Sequence, residues 1–135
     1  MPYYVCLEIK DTRIERVYVT PHYEKTYGLQ VIATSDKFCI AYNYARELAD
    51  KYNALLEWDE VFIIFLILKN GRIDRVLISS KPEDCIYMEY RSYLTFTDAY
   101  MFARDIADMY DALLEWYIED ELKALLETTL TRPVT

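Results

Sequence analysis

The sequence predicts an α+β fold of tandem duplicated β-β-β-α units with pseudo-twofold symmetry, a mainly antiparallel sheet and both long helices on one face. Three observations predict it. The segment 41–58 aligns with 99–116 at a constant offset of 58, with identity at Ala41, Tyr42, Ala45, Arg46, Ala49, Asp50, Tyr52 and the whole run Ala54–Trp58. Upstream, Arg13-Ile-Glu-Arg-Val17 matches Arg72-Ile-Asp-Arg-Val76 at an offset of 59, so one connector residue is gained or lost between the copies. Each copy passes from β-type alternation to a helical 3-and-4 spacing of apolar residues. The expected organisation is one compact domain of two repeats, about 3–58 and 61–116, plus a C-terminal helical extension over 117–130.

Each copy opens on a hairpin. Tyr3–Ile9 and Ile14–Thr20 flank Lys10-Asp-Thr-Arg13, and Val61–Leu68 and Ile73–Ser79 flank Lys69-Asn-Gly-Arg72. Asn70-Gly71 suits a two-residue type I′ turn, whose central residues both need positive φ. Thr12 is β-branched and poorly suited to that geometry, which predicts another turn type in the first copy. Third strands are expected near Tyr27–Thr34 and Cys85–Tyr93. The helices follow, with apolar stripes running from Phe38 to Leu56 and from Phe96 to Leu114. Ser35 or Asp36, and Thr95 or Thr97, are the expected caps. The strand 63–68 is apolar on both faces, unlike 4–9, which predicts that something covers its second face.

Composition narrows the chemistry. The chain has 135 residues, 53% hydrophobic and 28% charged, with a formal charge of −8. Its longest apolar run, 61–68, is far short of the roughly 20 residues that span a membrane. Met1-Pro-Tyr-Tyr4 does not read as a signal peptide, and a cytoplasmic location is the expectation. The three cysteines, Cys6, Cys39 and Cys85, are odd in number, form no C-x-x-C pair and read as buried free thiols. Two glycines leave no phosphate-cradling loop, and one histidine, His22, leaves no His-rich metal site. No G-x-S-x-G elbow is present. The expectation is a protein that is not an enzyme and takes no cofactor or metal. Arg16 and the equivalent Arg75 are expected to bridge strands.

Charge and exposed aromatics point to binding. Residues 98–127 hold nine acids against Arg104 and Lys123, so this segment carries −7. Such a balance argues against direct nucleic-acid binding and favours a protein partner with a basic surface. At 100° per residue along the second helix, Phe102, Met109 and Trp116 fall together on the side opposite the core stripe. Asp105, Asp108, Asp111, Glu115 and Glu119 then stack along one flank. These eight residues are the expected partner-binding set, in the manner of an anti-CRISPR or anti-restriction inhibitor that mimics a run of phosphates. The alternative is a homodimeric structural or regulatory module whose contact uses Tyr117, Leu122, Leu125 and Leu126. Tyr87, Tyr90 and Tyr93 are freer than the core tyrosines and suit a contact surface.

Overall fold

The computed structural model describes residues 1–117. The chain divides into two units, Met1–Glu60 and Val61–Thr135. The first contains β1 (Tyr3–Lys10), β2 (Arg13–Thr20), a 3-10 turn at Tyr23–Thr26, β3 (Gln30–Ser35), α1 (Phe38–Tyr52) and β4 (Leu55–Trp58). The second repeats this with β5 (Phe62–Lys69), β6 (Arg72–Ser79), a 3-10 turn at Pro82–Ile86, β7 (Met88–Tyr93), α2 (Phe96–Tyr110) and β8 (Leu113–Tyr117). The duplication therefore holds at the level of elements. The offset changes from 59 to 58 between β2/β6 and β3/β7, in the connector that carries the 3-10 turn.

Each unit owns a four-stranded sheet, in the orders β3-β1-β2-β4 and β7-β5-β6-β8. The hairpin partners and the third strand pair antiparallel, while β4 lies parallel to β2 and β8 parallel to β6. Within a unit, β3 and β4 thus run the same way on opposite edges, with the hairpin between them. Parallel strands need a crossover connection, and the helix is that crossover. A 15-residue helix is about 22 Å long, and three strand spacings span about 14 Å, so α1 reaches from one edge to the other.

Each unit thus shows the expected β-β-β-α order and adds a fourth strand, at Leu55–Trp58 and Leu113–Tyr117, where the spacing predicts a last helical turn. The 3-and-4 spacing does continue through Leu55 and Leu56, but the backbone turns away first. Asn53 and Asp111 adopt the left-handed conformation, at φ 52° and 51°. Their N–H groups donate to the last-turn carbonyls of Ala49 and Asp50, and of Ala107 and Asp108. The next residues complete the stop: Ala54 N donates to Ala49 O at 2.9 Å and Ala112 N to Ala107 O at 2.8 Å. That is the hydrogen-bond pattern of a Schellman termination.

The helix starts differ between the units. Thr95 caps α2, its hydroxyl accepting from Asp98 N at 3.2 Å. Lys37, not Ser35 or Asp36, occupies the cap position of α1 and makes no side-chain cap bond. Ser35 Oγ instead accepts from Lys37 N at 3.1 Å. The first hairpin turn is also corrected. Asp11 and Thr12 both have positive φ, 51° and 64°, as Asn70 and Gly71 do at 53° and 74°.

The helix stripes pack on the sheets. In the second unit Phe62, Ile64, Leu66, Val76 and Ile78 meet Phe96, Ala99, Ala103, Ile106 and Ala107 in one core cluster. In the first, the Tyr3 and Phe38 rings meet edge-to-face at 5.5 Å. The alternate residues Ile63, Phe65 and Leu77 are buried too, so β5 is covered on both faces, as its composition predicts. Arg16 bridges Glu8 and Glu57 at 3.6 and 3.7 Å, and Arg75 reaches Glu115 at 3.3 Å. These arginines tie central strands to their neighbours, as expected. Cys6 is a buried free thiol whose pKa burial raises. For Cys39 and Cys85 the free-thiol expectation is corrected, since both are disulfide-bonded.

Candidate functional site: a groove beside the second helix

The early end of α2 splits the expected partner-binding set. Glu115 and Trp116 lie on β8, not on the helix. Glu115 is turned to Arg75, accepting from Nη1 at 3.3 and 3.5 Å. Trp116 packs into the core of its unit, edge-to-face with Phe96 and with Tyr100, both at 5.8 Å. Its indole N–H is buried without a hydrogen-bond partner. Both are half-buried. Glu119, Leu122, Leu125 and Leu126 lie outside the described residues, and Tyr117 ends β8.

The rest of the set stays together. Phe102, Asp105 and Met109 follow one another on α2 at spacings of three and four and line one groove. Leu66, Ile73, Tyr90, Ile106 and Tyr110 complete its walls, and its volume is about 200 Å³. Asp111 lines an adjoining recess with Lys69, Asn70, Gly71, Arg72, Ile73, Asp74 and Tyr110, at the tip of the β5–β6 hairpin. Asp105, Asp108, Met109, Tyr110 and Asp111 are all exposed.

A strand irregularity builds the far wall. The β5–β7 register shifts between Ile64 and Phe65, which pair with Arg91 and Glu89 and leave Tyr90 as the extra residue. A bulge of this kind re-aims side chains. Tyr90 stacks on Phe102 with ring centroids 5.9 Å apart and planes 16° from parallel, and Tyr93 meets the same ring at 5.8 Å. The Arg91 guanidinium carbon lies 4.9 Å from the centroid of Phe102. Tyr90 was legible only as a freer tyrosine; the bulge that aims it carries no composition signal.

A second polar constellation went unread in the sequence. In the first unit Asp59 Oδ2 accepts from the Tyr18 and Thr20 hydroxyls, each at 2.7 Å, and from Lys25 Nζ at 3.2 Å. Burial pushes the Asp59 carboxyl up, but the bonds from Thr20, Tyr18 and Lys25 outweigh it and hold the pKa below the usual value. The Tyr18 hydroxyl is pushed up, by burial first and by Asp59 second, so it is not activated as a base. The cluster ties β2, the 3-10 turn and the end of β4 together. In the second unit Ser79, the equivalent of Thr20, donates its hydroxyl to Asp84 Oδ2 at 2.5 Å. His22 is half-buried, with Nδ1 3.7 Å from Glu24.

Comparison with protein families, curated proteins and solved structures finds no match. Among the described residues no group of three or more His, Cys, Asp and Glu side chains is placed to hold a metal ion. No helix among them is long and apolar enough to cross a membrane. What the groove offers is aromatic and thioether surface with the Asp105 carboxylate among its lining residues.

Proposed function

We propose that this chain is a non-enzymatic binding protein that presents the exposed side of α2 to a basic surface on a protein partner. The observation that carries the reading is the contrast between two helices of one ancestry. Residues 38–53 hold Arg46 and Lys51 against Glu47 and Asp50, a net charge of zero. The equivalent residues 96–111 hold Arg104 against Asp98, Asp105, Asp108 and Asp111, a net charge of −3. A shared fold does not require that difference, and electrostatic steering towards a basic partner uses it. An inhibitor of a nucleic-acid-processing protein, of the anti-CRISPR or anti-restriction kind, is the most concrete form. There Asp105, Asp108 and Asp111 stand in for phosphates, without the contribution from Glu115 that the longer helix implied.

The test is affinity capture from a plausible host at low ionic strength, repeated with Asp105, Asp108 and Asp111 all changed to Asn. The expected outcome is a basic partner that is released as salt rises and is not held by the triple variant. A partner retained unchanged at high salt, or held equally by the triple variant, overturns the reading.

A further inference from the structure

At about 200 Å³, the α2 groove is smaller than the roughly 300–1,000 Å³ of ordinary small-molecule sites, so it suits a single side chain. Its walls include the rings of Tyr90, Phe102 and Tyr110 and the thioether of Met109, with Asp105 the one ionisable acid among the lining residues. Apolar walls with one carboxylate match an amphipathic cation, whose stem packs on the walls and whose head meets the acid.

The two copies of the fold narrow this further. In the first unit Lys51 Nζ lies 5.3 Å from the centroid of the Tyr52 ring. The equivalent residues of the second unit are Met109 and Tyr110, so the copy's own cation is replaced by an apolar side chain beside the same ring. Ile32, the counterpart of Tyr90, shows a second aliphatic-to-aromatic difference at this groove. The guanidinium of Arg91, 4.9 Å from the Phe102 centroid, shows that this ring already meets a guanidinium, from a residue outside the groove lining. A guanidinium is planar, stacks on aromatic faces and is less strongly hydrated than an ammonium.

We infer that the groove formed by Tyr90, Phe102, Asp105, Met109 and Tyr110 is a subsite for one arginine side chain of the basic partner. The inference rests on the reading of α2 as a surface for a basic partner and adds the side chain it selects.

The experiment uses the full chain with fluorescently labelled hexa-arginine and hexa-lysine peptides, read by anisotropy at low salt. The expected result is several-fold tighter binding of the arginine peptide. Met109→Lys, which restores the first unit's residue at an exposed position, is expected to remove most of that preference. Asp98→Asn with Asp108→Asn, outside the groove, is expected to weaken both peptides alike and leave their ratio unchanged. Equal affinities in the unaltered protein, or an unchanged ratio in Met109→Lys, overturn the arginine subsite while salt-sensitive binding of both peptides keeps the acidic-surface reading. Failure of both peptides to bind at low salt overturns both.

Discussion

Asp59 gathers donors from two other segments, and single residues of this kind decide how each unit closes. Its carboxyl is held below the ordinary value, so it contributes stability above the unfolded pKa of about 3.9 and loses it as pH falls through the lower folded value. Asp59→Asn is expected to cost about 1–3 kcal/mol at neutral pH. Denaturant unfolding at pH 7 and pH 3 should show a gap between wild type and variant that narrows at the acid end. Thr12 makes the opposite case. A β-branched residue at φ 64° is in a left-handed conformation that costs L-residues about 1–2 kcal/mol. Thr12→Gly should therefore raise the denaturation midpoint, with a net gain of about 0.5–1 kcal/mol after the added chain entropy. Trp116 separates core from interface. Trp116→Ala is expected to cost about 3–5 kcal/mol, whereas Trp116→Phe keeps most ring packing and breaks no hydrogen bond, at under about 1.5 kcal/mol. Capture of a partner by folded Trp116→Phe should match wild type; loss of it would return Trp116 to the interface.

The elements show why the helices were legible and their ends were not. Phe38 to Tyr52 and Phe96 to Tyr110 announce themselves by spacing, but Leu55-Leu56 and Leu113-Leu114 keep the same spacing after the helix has stopped. The signal was Asn53 and Asp111, residue types that tolerate the left-handed conformation at a helix end. Reading them as caps converts Leu-Leu-Glu-Trp from a last helical turn into a strand and moves Glu115 and Trp116 off the helix. Tyr90 and Asp59 were harder. One depends on a bulge in strand pairing, and the other on partners 34 to 41 residues away in sequence. Asp111 also joins both roles in one residue, which makes it a test. Asp111→Gly satisfies the backbone at φ 51° but removes a charge from the surface. It is expected to leave the melting temperature unchanged or higher while weakening retention of a basic partner at low salt. Equal retention would remove Asp111 from the contact.

At the scale of the whole molecule, the repeat is a shared scaffold with different chemistry on each copy. The first unit gathers Tyr18, Thr20 and Lys25 on the half-buried Asp59. The second replaces Lys51 with Met109 and Asn53 with Asp111, and turns acids and rings outward. A chain carrying Met109→Lys and Asp111→Asn should therefore keep its stability within about 0.5 kcal/mol, since both positions are exposed. It should also show a flatter dependence of partner binding on ionic strength. Parallel closure of each sheet has a consequence in time. A chain emerging from a ribosome delivers β4, and the Asp59 that latches it, before any strand of the second unit has been made. Every backbone pairing of the first sheet is thus available while the second is unwritten. Synthesis order therefore favours building the copy with the neutral helix first and the copy with the acidic helix last.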